Sequence, residues 1–462
     1  MLERLKKKYV GTPAFYKRYI YLAIPMIIQN AITNFVSFLD NIMVGQLGTE
    51  QMSGVAIVNQ LLFVYYLAVF GAASAGSIYG AQYFGKGDHV GHMYTFRFKL
   101  YSTLLVTAIG IALFIGAGTN LISFFLTDTA GTGATELALE YGRQYLAVVL
   151  VGLVPFAITQ AYATNIKETG QTFVPMLSGL IAVGTNAILD YVMIFGVGPV
   201  PAMGVRGAAL ATVIARFVEV AIVVVWAHAH KNENKYLEGA YTGFGLPANV
   251  FKQILIKGTP LMLNEILWAA GMTQVTQCYS IRGLDVIAAL NISNTVNNLF
   301  NIVFIQLGGC ISIIVGQYLG AGELEEAKDA DNKMIAFSVF CCIIMAGIMF
   351  VVGRFFPNIY NTTDEIKALA QHFITIMAIW MPFCSFSHCS YFTLRSGGKT
   401  FVTFLFDSVF TWVIMVPLAF SLAHFTGMTI VMIYFFVNGT ELIKNVIGYF
   451  MVKSNVWLQQ IV

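Results

Sequence analysis

Stretches of about twenty residues in which nearly every position is apolar recur along the chain, separated by short segments that hold most of the charge. Runs such as 104–117 and 220–227 are apolar on nearly every face, whereas a membrane β-strand alternates over about ten residues. The pattern therefore predicts helices, each long enough for a bilayer core of about 30 Å. Twelve are predicted, near 18–44, 53–83, 94–118, 140–161, 173–196, 206–227, 251–281, 285–318, 334–355, 368–393, 401–424 and 429–452.

Composition excludes a water-soluble globule. Of the 462 residues, 57% are hydrophobic and 11% charged, under half the roughly 25% charge of an ordinary soluble domain. The mean hydropathy is +0.73. Twelve helices of about 20 residues need roughly 240 positions, which leaves room for longer helices and short loops. No cleavage site follows the basic start at Met1–Lys8, and the apolar stretch 25–45 contains Asp40. It is expected to be a permanent span and not a signal sequence.

Lys and Arg set the orientation. With the N-terminus inside, inner segments hold nineteen, including Arg4, Lys6, Lys7 and Lys8, against five outside: Arg143, Arg206, Arg282, Arg354 and Lys367. Both termini are expected to be cytoplasmic. The net charge of +3 follows from this bias and points to no nucleic-acid partner. The six cysteines all fall in apolar segments of the second half, as small packing residues do, so no disulfide framework is expected.

Shifted by 235 residues, the chain matches itself. Pro25 falls on Pro260, Asn59 on Asn294 and Ser77 on Ser312, and Gln82-Tyr-Phe-Gly-Lys-Gly87 falls on Gln317-Tyr-Leu-Gly-Ala-Gly322. A repeat of six helices, an even number, leaves both halves in the same orientation, as in transporters with parallel repeats. The expected fold is an all-α polytopic membrane protein with two six-helix bundles, 1–227 and 258–462. They are joined by a charged cytoplasmic linker at 228–257.

An ionisable residue at membrane depth costs about 2.5–3.5 kcal/mol on insertion scales, which makes each one a candidate for function. Asp40, Asp190, Glu219, Glu265, Asp407 and Glu441 qualify. Glu219 follows Arg216 by three residues and Glu441 precedes Lys444 by three, spacings that favour structural ion pairs. Asp40 and Asp190 have no local counter-ion, and Asn186 lies one turn before Asp190. An unpaired buried carboxylate takes up a proton or collects a cation, and Asn186 offers the carbonyl oxygen that a hard monovalent cation prefers. Alternatively, each acid hydrogen-bonds a neighbouring helix. Pro25, in the inner part of the first helix, permits a kink, either as a moving hinge or as a fixed bend. In the second half, Glu265 takes the repeat position of neutral Asn30. A Glu near Trp268 suits an organic cation, and Asp407, early in the eleventh helix, is a further candidate there. Gly398-Lys399-Thr400 ends like a phosphate loop, but Thr393 stands where the first glycine belongs. Neither ATP hydrolysis nor a cofactor is expected.

The two six-helix halves, the repeated Gln-Tyr-x-Gly-x-Gly turn, and Pro25…Asp40 with Asn186-x-x-x-Asp190 resemble the multidrug and toxic compound extrusion (MATE) transporters over essentially the whole chain. The resemblance implies a non-enzymatic antiporter of the cell membrane. It would export amphipathic, often cationic organic compounds by alternating access in exchange for Na+ or H+, as a monomer among membrane lipids. It further implies that Asp40, Asn186 and Asp190, with Thr212, form the ion site and that Pro25 is the hinge. Family members with a second ion site use a Glu on helix seven and an Asp on helix ten. Here Glu265 meets the first requirement, but helix ten offers His388 and no Asp. The alternative is a flippase of lipids or lipid-linked sugars built on related architecture. Such a cleft is strongly cationic, whereas Arg216 and Lys444, the basic residues at depth, each stand beside an acid.

Overall fold

The structure, a computed structural model, describes residues 3, 8–126, 132–243 and 245–462. Arg4, Lys6 and Lys7 of the inner charge cluster lie outside the described residues. The chain is helical, with no strand among the described residues. In order come α1 (Pro13–Gly45), α2 (Thr49–Lys86), α3 (His89–Phe125), α4 (Thr132–Glu168), α5 (Phe173–Phe195) and α6 (Val205–Ala229). These are followed by α7 (Ala248–Ser280), α8 (Leu284–Ala321), α9 (Leu324–Phe355), α10 (Asp364–Ser396), α11 (Thr400–Phe425) and α12 (Ile430–Lys453). All but α1 and α7 are long and apolar enough, among the described residues, to cross a membrane. Those two are 33 residues each and carry Pro25 and Pro260 at matching repeat positions.

Two compact units account for the packing. One comprises Ile28–Gly80 and His89–Ile254; the other comprises Met1–Ile27, Ala81–Asp88 and Leu255–Val462. The first unit is built on an apolar core running through Val58, Leu62, Leu153, Ile194 and Ala209. A smaller core of Phe96, Tyr162, Tyr236 and Leu237 sits where the linker folds back. There Arg97 donates from Nε to the carbonyl of Ala240 (2.9 Å), from Nη2 to Gly239 (2.7 Å) and from Nη1 to Gly245 (2.6 Å). Three carbonyls on one guanidinium make the linker an integral part of this unit.

In the other unit the repeat has a direct structural meaning. Both Gln-Tyr-x-Gly-x-Gly segments end their helices in the same way. Gly87 (φ 76°) and Gly322 (φ 78°) are left-handed, and the amides of Asp88 and Glu323 donate back to the carbonyls of Tyr83 and Tyr318, both at 3.0 Å. The segments also pack reciprocally. A Cβ on Gly85 would lie 1.9 Å from the carbonyl oxygen of Gln317, and one on Gly320 would lie 1.9 Å from that of Gln82. Gln82 is fully buried; it donates to the Ser396 carbonyl (2.9 Å) and accepts from the Ile461 amide (2.8 Å). Gly85→Ala should accordingly lose stability at the scale of an overpacked core, about 1–3 kcal/mol. Gly347→Ala, where a Cβ meets nothing within 4 Å, should not. Equal melting temperatures of the two purified variants would contradict the close approach.

α11 departs from regular helix. Leu405–Val409 and Thr411–Met415 are two successive π-helical turns, distortions that commonly mark functional positions. Asp407 lies within the first of them.

Candidate functional site

The acids singled out in the first half meet in one place. Asp40 lies about one turn from the end of α1, while α5 carries Asn186 and Asp190 one turn apart on one face. The two carboxyl groups and the Asn186 amide are close enough to interact. Asp190 is 0% exposed. Neither of its carboxyl oxygens, nor Oδ1 of Asp40, has a hydrogen-bond partner among the described residues. Asn186 donates from Nδ2 to Oγ1 of Thr212 on α6 at 3.4 Å, so all four residues expected here are brought together. Sequence reasoning missed Tyr145 of α4, which is buried within electrostatic range of both acids. Its hydroxyl donates to Asn59 of α2 at 3.4 Å. Among the described residues no group of three His, Cys, Asp or Glu is placed to hold a metal. The cluster's chemistry is that of two carboxyls with neutral oxygens, suited to a proton or a weakly held monovalent cation. Pro25 is buried, and the division between the two units falls two residues later.

A second polar cluster in the same unit was not anticipated. Lys99 of α3, 0% exposed, donates to both carboxylate oxygens of Glu168 at 2.6 Å and also to Asn165. His92, likewise buried, lies 3.3 Å from Glu168. Glycine makes room for the pair: a Cβ on Gly80 would come within 2.0 Å of Glu168 Oε2, and one on Gly76 within 2.7 Å of Lys99 Cγ.

In the other unit, the candidates separate. Asp407 is not free: Lys444 of α12 donates to its Oδ1 at 2.7 Å, and Asn264 of α7 donates to its Oδ2 at 3.1 Å. Ser408 donates to Asn264 Oδ1 at 2.7 Å, fixing that amide. Lys444 is 4.0 Å from Glu441, so the spacing-based pair exists as the longer of its two contacts. Glu441 instead accepts from Ser387 at 2.7 Å. Glu265 is half-buried and within electrostatic range of Arg395 and Asp407. Trp268 is 37% exposed. His388, on α10, bonds through Nδ1 to the Cys384 carbonyl at 3.0 Å, and its ring packs 4.7 Å from that of Phe304. The Arg216–Glu219 pair forms as its spacing predicts, at 3.0 Å.

A bundle of long apolar helices with an internal repeat and a buried two-carboxyl cluster defines a membrane transporter rather than an enzyme. The MatE family model matches residues 25–192 and 260–421, one segment in each repeat, and the chain belongs to this family. A probable multidrug resistance protein NorM of Thermotoga maritima is 24% identical over 89% of this chain and 87% of its own. YoeA of Bacillus subtilis, also described as a probable multidrug resistance protein, is 22% identical over 90% of this chain and 89% of its own. Among solved structures, a MATE protein in complex with MaL6 superposes with a TM-score of 0.85 at 17% identity, covering 95% of this chain and 96% of that one. An outward-facing multidrug resistance MATE transporter gives 0.84 at 18%, with the same coverage.

Proposed function

We propose that this protein is a secondary antiporter that exports amphipathic organic compounds, cationic drugs, toxins and metabolites among them, in exchange for Na+ or H+. It works by alternating access, as a monomer in the cell membrane, crossing it twelve times in lobes 1–227 and 258–462 with both termini and the 228–257 linker cytoplasmic. The observation that carries this reading is that both carboxyl oxygens of Asp190 and Oδ1 of Asp40 are buried with no hydrogen-bond partner among the described residues. Carboxylates out of water need a proton or a cation, and a transporter can exchange either for cargo. Asn186 and Thr212 supply the neutral oxygens, and Pro25 is the hinge of α1. The multidrug descriptions of the relatives support the cargo class. Lys444 and Arg216 are matched by acids, which disfavours a lipid-phosphate cargo.

The test is efflux of ethidium from proteoliposomes under an imposed Na+ or H+ gradient. Efflux driven by one of the two is expected, and none under either would reject antiport. Within the same assay, Glu265→Gln should weaken export of ethidium about tenfold, the scale of a desolvated cation contact of about 1–2 kcal/mol, while a neutral substrate is spared. Equal loss for both would place Glu265 in ion coupling instead.

A further inference from the structure

The ammonium of Lys444 sits in surroundings that would suit a foreign cation. Asp407 Oδ1 is 2.7 Å away and Glu441 is at 4.0 Å. The rings of Phe406 and Phe410 lie 5.4 and 6.0 Å from it, within the range where a ring face attracts a positive charge. Each carboxylate is anchored from behind, Asp407 by Asn264 (3.1 Å) and Glu441 by Ser387 (2.7 Å). The negative groups therefore hold their places whether or not the lysine is there. The two carboxylates also outnumber the ammonium, leaving one negative charge in excess. Glu265, His388, Cys384 and Tyr391 also lie in electrostatic range of this cluster, and Arg395 lies in range of Glu265.

We propose that the Asp407–Glu441–Phe406–Phe410 cluster is a binding site for the ammonium group of a monocationic substrate, and that Lys444 is a tethered competitor which occupies it until cargo displaces it. The proposal rests on the cationic-export reading and specifies the seat of the charge. Lysine is suited to the role because its ammonium is a compact point charge on a flexible four-carbon stem. Asp407 and Glu441 belong to different helices, α11 and α12, so the ammonium can move towards Glu441 when an incoming cation takes the position nearest Asp407. The lysine's return would expel the cargo, so the same residue lowers affinity and favours release. Phe406 and Asp407 stand on the first π-helical turn, Leu405–Val409, and Phe410 stands between it and the second, Thr411–Met415.

The probe is benzyltrimethylammonium, a fixed cation with one ring, measured by calorimetry on the full-length protein in detergent beside its neutral isostere, neopentylbenzene. Lys444→Met should bind the cation at least tenfold more tightly than wild type, Lys444→Arg should bind it as wild type does, and the isostere should be indifferent to both changes. Equal or weaker cation binding by a folded Lys444→Met protein would overturn displacement. A second measurement on the unmodified chain covers the case where that variant does not fold. Lys444 should be acylated several-fold faster, by peptide mass spectrometry, when the protein is saturated with benzyltrimethylammonium. An unchanged or slower rate overturns the proposal. Ethidium export by wild type together with either negative result rejects the tethered competitor alone. No ethidium export and no cation binding reject the cationic-export reading with it.

Discussion

Asp190→Asn and Asp40→Asn should each reduce gradient-driven export to background while leaving the melting temperature of the purified protein unchanged or higher. Both acids lie within the unit of Ile28–Gly80 and His89–Ile254 and have buried oxygens with no hydrogen-bond partner among the described residues, so their charge contributes nothing to packing that an amide would forfeit. Removing an unpaired buried carboxylate relieves a desolvation cost. It also removes the group that must take and release a proton or Na+ in each cycle. With two carboxyls close enough to interact, neutralising either one leaves a single acid, and the site loses the charge balance needed to hold a cation and give it up again. The measurement is ethidium efflux under the effective gradient, alongside thermal melting. Wild-type efflux by both variants would remove the ion-site assignment, and collapse of the fold in both would make the acids structural.

The second large effect is on stability. Lys99→Met strips the counter-ion from Glu168, which is 2% exposed and bonded by Lys99 through both oxygens at 2.6 Å. Breaking a buried pair on one side costs about 3–5 kcal/mol, whereas replacing both partners with apolar side chains of similar size is often neutral or stabilising. The single variant is thus expected to lose most of its yield in membranes, and the Lys99→Met/Glu168→Met double variant to regain it. The volume available argues the same way. The glycines at 76 and 80 leave no slack around the pair, so a carboxylate that has lost its lysine cannot turn away to water and is left with the longer contact to His92 at 3.3 Å. A single variant that melts like wild type would show that Glu168 finds another partner, and a double variant as poor as the single would show that the pair is needed in its charged form.

Why the first-lobe cluster was legible while these pairs were not is a matter of how each residue advertises itself. Asp40, Asn186 and Asp190 stand in long apolar stretches where a polar side chain is costly, so sequence alone marks them. Tyr145 and Asn59 share their site, yet a tyrosine or an asparagine in a membrane helix is common enough to carry no signal. Local spacing assigned Lys444 to Glu441 because three residues on a helix put two side chains on one face. The shorter bond goes to Asp407, 37 positions away, and only the packing of α11 against α12 reveals it. Glu168 ends α4, where charge is ordinary, and its 69-residue separation from Lys99, well inside α3, hid the buried pair. The helices themselves, the repeat and the glycine turns were readable because each leaves a periodic or a conformational mark. The π-helical turns of α11 leave none, since nothing in the spacing of their residues distinguishes them from regular helical turns.

The contacts made by the start of α1 bear on how the protein is made. Tyr19 is 0% exposed and donates to the carbonyl of Leu307, 288 residues later, and Arg18 donates to Gln317, 299 residues later. At a synthesis rate of about 5–20 residues per second, these partners leave the ribosome roughly 15–60 s after the first helix does. Residues 28–80 and 89–254, by contrast, find their packing partners among themselves and can assemble while the rest is still being translated. The first turns of α1 must pass that interval without the partners that Tyr19 and Arg18 have in the finished fold. These two bonds cannot form until Leu307 and Gln317 have been made, so the first segment of the chain to be synthesised is among the last to be seated.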